Sequence, residues 1–256
     1  MDINKLQKFI DTTLDDFRSD LHRFCSLDEE GRKKAELISY WIKDYNKYLN
    51  FEDKFTPKKL KKYERGDVIK VNFGFNLGNE EGGLHYAVVI DNKNSQSSGV
   101  VTVIPLSTKK EGEKLSKFDV SLEYELSISV MNKMNKLIED CRVEIEKNTQ
   151  RIYEVEEKVS SFKELTLDEQ LKTRMEIEKI REKRLENERN INYANRVRKE
   201  FSKMNSGTKA LVGQITTISK MRIYDPKTSW DILSGIRLSA EKLERINEKI
   251  KELYIH

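Results

Sequence analysis

Side chains suited to acid–base, thiol or metal chemistry are sparse in these 256 residues: three histidines (His22, His85, His256) and two cysteines (Cys25, Cys141). An imidazole ionises at about pH 6.5, which suits it to general acid or base work. The histidines and cysteines are not clustered with the spacing of a zinc site, so neither a metal nor a cofactor is expected. Both cysteines fall on the apolar stripes of predicted helices, which reads as small buried hydrophobes rather than a disulfide. A basic run of Lys58, Lys59, Lys61, Lys62 and Arg65 precedes the glycine-rich part, as a solvated linker or a phosphate-contacting patch. The net charge of +4 sets 48 basic against 44 acidic residues, too even a balance to argue for nucleic acid by itself.

The elements that must hold such residues differ along the chain. Charged residues make up 36%, above the ~25% usual in globular proteins, so part of the chain lies outside any packed core. No apolar run approaches the ~18 residues of a membrane span, and MDINKLQKF lacks the apolar stretch of a secretory signal. A cytoplasmic protein without a membrane partner is expected. Residues 1 to 50 read as a helical hairpin. Ile3, Leu6, Ile10, Leu14, Phe17, Leu21 and Phe24 form the first stripe, Leu37, Ile38, Trp41, Tyr45 and Leu49 the second, and a Ser26–Glu29 capping box lies between them.

Seven of the eleven glycines fall between 66 and 112, where the period becomes that of strands. Strands are predicted over 68–73, 87–90, 100–104 and 118–126, with a further strand-like run over 210–218 and a final helix capped by Ser239. From 129 to 205 there is no Gly or Pro, and 18 Lys/Arg face 16 Asp/Glu, a long-helix composition. Met131, Met134, Ile138, Cys141, Ile145, Ile152, Val155, Val159 and Phe162 form a heptad seam there. A capping box at Thr166–Glu169 marks the turn of an antiparallel coiled-coil hairpin, and folding at that point sets Asn148 opposite Arg184 to Asn187 as a polar layer. The hairpin returns to its base and so can sit in a short loop between two strands.

With that insert removed, four stretches follow in order: Arg65-Gly-Asp-Val-Ile-Lys-Val-Asn-Phe73, Gly78-Asn-Glu-Glu-Gly-Gly-Leu-His-Tyr-Ala-Val-Val-Ile90, Val103-Ile-Pro-Leu-Ser-Thr108 and Gln214-Ile-Thr-Thr-Ile-Ser-Lys-Met-Arg-Ile223. On these the chain resembles the MazF/PemK family of toxin endoribonucleases. The resemblance implies an α+β fold: a small SH3-like antiparallel β-barrel (64–128 and 206–256) with a C-terminal helix. To this are added an N-terminal helical hairpin with a basic linker (1–63) and the inserted coiled-coil hairpin (129–205).

The resemblance implies metal-independent cleavage of single-stranded RNA by ribose 2′-hydroxyl attack, by a cytoplasmic homodimer paired with an antitoxin protein. That chemistry needs a base, an acid and a donor for the phosphorane charge. The family's Arg and Thr positions match His85 and Ser107 here, and its loop carboxylate matches Glu80; these three are the catalytic candidates. RNA-binding candidates are Thr108, Lys109, Asn79, Phe75, Gln214 and Thr216. Lys110 and the basic linker could add phosphate contacts, and Phe73 or Tyr86 could add stacking, although Phe73 reads as core. Gly213 stands where the family often has an acid. Histidine at 85 lacks the permanent charge and fork of arginine, which leaves a second reading open, a non-cleaving interaction module of the same barrel such as the gyrase-poisoning toxins.

Overall fold

The computed structural model describes residues 1–110, 112–161, 166–202, 207–231 and 233–255. The side chain of Val159, together with Phe162 and His256, lies outside that description. The N-terminal hairpin consists of α1 (Ile3–Cys25) and α2 (Glu29–Phe51). Asp2 caps α1 by accepting from the Lys5 N–H at 2.9 Å, and Asp28 caps α2 by accepting from the Gly31 N–H at 2.8 Å. The predicted Ser26 capping box is therefore corrected: Ser26 closes α1, its hydroxyl donating to the His22 carbonyl at 3.1 Å. Helix α1 buries none of its residues, and Cys25, expected to be buried, is exposed, whereas Cys141 is buried.

The strands are β1 (Val68–Asn72), β2 (Leu84–Val89), β3 (Val100–Thr108), β4 (Val120–Glu123), β5 (Thr208–Ala210), β6 (Thr216–Ser219) and β7 (Ile223–Asp225). They form one antiparallel sheet in the order β4-β5-β3-β2-β1-β7, with β6 also on β3, curled into a small barrel. Three predicted strands are shorter than the sequence pattern suggested, β1 by the single residue Phe73. The run over 118–126 ends at Glu123 because a helix begins at Glu125. The run over 210–218 is split by a 3₁₀ turn, Val212–Gln214. The reason is geometric: one edge of β3 is served by β6 along Val100–Val103 and then by β5 along Leu106–Thr108, so the chain must step between the two.

Strand alternation divides the core in two. Odd-numbered Ala87, Val89, Val101 and Val103 join Ile69, Val71, Phe73, Ile218, Ile223 and Tyr63 on one face. Even-numbered Tyr86, Val88, Ile104 and Leu106 face the other way, where the helices cover them.

Those helices are α3 (Glu125–Ser161), α4 (Leu167–Phe201) and α5 (Ala240–Tyr254). The Thr166 capping box forms as predicted, and Ser239 caps α5. At 1.5 Å per residue α3 and α4 each extend about 50 Å, emerging between the paired strands β4 and β5. Their roots are not separate from the barrel: Leu126, Val130, Met134 and Ile138 of α3 and Ala194, Val197 and Phe201 of α4 belong to the same hydrophobic cluster as Val88 and Ile104. Farther out, Ile152 and Ile180 are buried and Arg151 pairs with Glu176 at 2.7 Å. Buried nitrogens of Asn148, Arg184 and Asn187 mark the expected polar layer.

Candidate active site

Two residues of the first motif, Arg65 and Asp67, prove to be architectural. Arg65 donates to the Ile90 carbonyl and to Asn247 on α5. Asp67, almost fully buried, accepts from Lys61 at 2.9 Å and from Arg237 at 2.9 Å. One lysine of the basic linker is thereby used to hold β1.

The ladder between β2 and β3 runs from Val89↔Val103 to Tyr86↔Leu106, and the next residues outward are His85 and Ser107. Both have the parity of the inward-facing Ala87, Val103 and Pro105, so antiparallel geometry turns them to one face of the sheet. The loop between β1 and β2 folds back over that end. Gln214 fixes it from the 3₁₀ turn, its Oε1 accepting from the Glu81 N–H at 2.6 Å and its Nε2 donating to the Asn79 carbonyl at 3.1 Å. Asn76 adds a second tie, donating to the Glu81 carbonyl at 2.6 Å.

So held, Glu81 places Oε1 3.0 Å from His85 Nδ1. A carboxylate at that distance favours the tautomer with its proton on Nδ1, which leaves the Nε2 lone pair open. Glu81 was missed by the sequence reading, which took its neighbour Glu80; only the loop's folded path distinguishes the two, and no periodicity in the loop reveals that path.

Three adjoining hollows surround this point. Phe73, Asn79, Glu80, Gln214, Thr216 and Arg222 line one of about 600 Å³. Ser107, Lys209, Phe118 and Tyr254 line one of about 640 Å³, which shares Asn79, Glu81 and Gln214 with the first. His85 and Phe75 line a third, of about 540 Å³, against α2. His85 and Ser107 thus open into different hollows, with Glu81 bridging from the His85 ring to the Ser107 side. Thr108 and Lys109 continue β3 beyond Ser107, where Thr108 pairs with Thr208 and the Lys109 N–H donates to the Gly207 carbonyl at 3.0 Å.

Two cations accompany the hollows. Arg222 donates to the carbonyls of Asn72 and Phe73, and burial pulls its pKa down from the ordinary guanidinium value. Lys209, opposite Ser107, is held by Glu113 at 2.6 Å and Asp119 at 3.2 Å, and those bonds, Glu113 first, hold its pKa up despite burial. Tyr86, weighed for base stacking, is corrected: it is 4% exposed with its ring 4.7 Å from Phe201. Burial also pushes its phenol far above the ordinary range, so it is not a proton donor near neutral pH. Gly213 admits Phe118, whose Cβ would lie 3.1 Å from an added methyl group. Among the described residues no three His, Cys, Asp or Glu side chains are gathered as a metal ion would require, and no helix is long and apolar enough to cross a membrane.

Residues 64–187 match the family described as PemK-like, MazF-like toxin of type II toxin-antitoxin system. The match begins just before β1 and runs through β4 into α4. No curated protein matches the chain. The matched stretch spans the strands that carry His85 and Ser107, and with the motif residues at one end of the curled sheet it makes residues 64–187 similar to the PemK-like, MazF-like toxins of type II toxin–antitoxin systems.

Proposed function

We propose that the protein is an endoribonuclease toxin that cuts single-stranded RNA by attack of a ribose 2′-hydroxyl on the adjacent phosphate, without a metal ion. The observation that carries this reading is the Glu81–His85 contact at 3.0 Å, beside Ser107 at the end of one ladder. His85 Nε2 takes the 2′-hydroxyl proton or delivers one to the leaving 5′-oxygen, while Glu81 orients the ring. The Ser107 hydroxyl donates to a non-bridging phosphate oxygen. Arg222, lining the hollow that also holds Glu80, Gln214 and Thr216, supplies positive charge for the phosphate in the way the family arginine would at position 85. Asn79, Gln214, Thr216 and Lys109 complete contacts to the strand. A homodimer and an antitoxin partner in the cytoplasm belong to the same proposal.

The test is to incubate the purified chain with a mixed-sequence single-stranded RNA and its duplex, beside His85→Ala. Cutting of the single strand alone, lowered about 10² to 10⁴-fold in the variant, supports the reading. Binding without cutting favours the non-cleaving module that loss of the arginine suggests.

A further inference from the structure

The hollow that His85 shares with α2 is built partly from residues outside the family match, which begins at residue 64. Its walls are Leu37, Tyr40, Trp41 and Asp44 from α2, and Asn72, Phe75, Asn76 and Leu84 from the barrel end. A volume of about 540 Å³ lies within the ~300–1,000 Å³ of small-ligand sites.

Trp41 is fixed from several sides. Its ring lies 5.7 Å from Tyr45 and 6.2 Å from Tyr48, and the Arg222 guanidinium sits 5.2 Å from its centre. Gly74, at φ +86, allows the closest approach, since a methyl group there would come within 2.8 Å of Trp41 Cζ2. Asn72 donates to Asp44 at 3.3 Å and ties α2 to β1. The indole is therefore in place before any ligand arrives, which removes the ordering cost of a mobile aromatic. Tyr40 and Leu84, at the lip, are 59% and 44% exposed.

We propose that this hollow binds one unpaired nucleobase of the RNA that passes His85, so that the N-terminal hairpin completes the substrate site. The inference rests on the ribonuclease reading above. A single-stranded RNA is gripped by aromatic faces and read at base edges. Tyr40, Trp41 and Phe75 provide faces here, and Asn76 and Asp44 provide an amide and a carboxylate for edges. His85 on the same wall places the hollow one step along the strand from the scissile phosphate. Arg222 contacts Trp41 while lining the adjoining phosphate groove, which joins the two parts of the site.

The test uses the full chain carrying Trp230→Phe. Trp230 is 92% exposed, and its removal leaves Trp41 as the single tryptophan of the two in the sequence. The probe is a short single-stranded RNA of a sequence the protein cuts, with one 2′-deoxy nucleotide at the cut position. A matched oligonucleotide lacks the neighbouring base. Binding is expected to quench Trp41. Tyr40→Ala and Phe75→Ala are each expected to weaken binding about 5- to 100-fold, the range for one lost base–aromatic stack. Removal of the base is expected to cost the parent protein a similar factor and to cost these variants little more. If the protein cuts the RNA yet Trp41 emission and the affinities of both variants are unchanged, the nucleobase site is wrong and the ribonuclease stands. If the parent protein neither cuts nor binds single-stranded RNA, both fall together. Tyr40 lies on the exposed lip, so its variant is informative even if Phe75→Ala prevents folding.

Discussion

Glu81 Oε1 lies 3.0 Å from His85 Nδ1, four residues apart on a loop and the strand that follows it. That single contact turns an isolated histidine into an oriented imidazole. Glu81→Gln keeps the shape and removes the charge. Its kcat is expected to fall on the order of 10²-fold with KM little changed, the low end of what a positioned acid–base group contributes. Single-turnover cleavage measures this, and an equal loss in binding would assign Glu81 a merely structural role.

Gln214 holds both Asn79 and Glu81 through its side-chain amide. Gln214→Ala is expected to cost about 1–3 kcal/mol of stability, the range for leaving such backbone groups unpaired, and to lower cleavage through a loosened loop. Urea unfolding gives the first effect. Rescue by Gln214→Glu of the Asn79 contact is not expected, since a carboxylate cannot donate.

The roots of the long helices share the barrel's core, whereas their outer parts pack chiefly on each other. Phe201→Ala is expected to destabilise the whole chain by about 3–5 kcal/mol. Removing residues 140–192 through a short Gly-Ser connection is expected to leave a folded barrel, because Met134, Ile138, Ala194 and Phe201 all remain in their cluster. Thermal unfolding of the two variants checks this, and a shortened chain that cannot fold would place the outer helices in the core as well.

Much of this architecture was legible beforehand, and the reasons differ by element. The heptad seam, the Thr166 cap and the absence of Gly and Pro are local signals, and they located the long helical pair well. The strands were found but their ends were not: Phe118 falls in the turn before Val120, Leu126 continues an alternation that the start of α3 at Glu125 interrupts, and tertiary pairing on β3 breaks the apolar run after Ala210. Motif order pointed to His85 and Ser107. The pairing of His85 with Glu81, and the arrival of Trp41 beside Gly74, depend on how a loop and a separate hairpin fold over the sheet end, which no spacing along the chain encodes.

Asp225 is buried, accepts from Tyr193 at 2.6 Å and from the Leu233 N–H at 3.2 Å. Burial, the largest effect, raises its pKa above the ordinary carboxylate value. The folded chain then binds more protons than the unfolded chain between those two pKa values, so the contribution of Asp225 is most favourable at low pH and declines as pH rises through its folded pKa. The stability of the parent protein minus that of Asp225→Asn is expected to fall from about pH 4, the unfolded aspartate value, upward. A difference that stays flat, or rises, in urea titrations over that span would contradict the assignment.

Product ends give the most direct evidence on the chemistry. RNA cut by the purified protein in excess EDTA is expected to carry a 2′,3′-cyclic phosphate at the 3′ end of the upstream fragment and a free 5′-hydroxyl on the downstream fragment, and a substrate with a 2′-deoxy nucleotide at the cut position is expected to remain intact. Cleavage of that deoxy substrate, 3′-hydroxyl ends, or activity that requires Mg²⁺ would contradict attack by the ribose hydroxyl at His85.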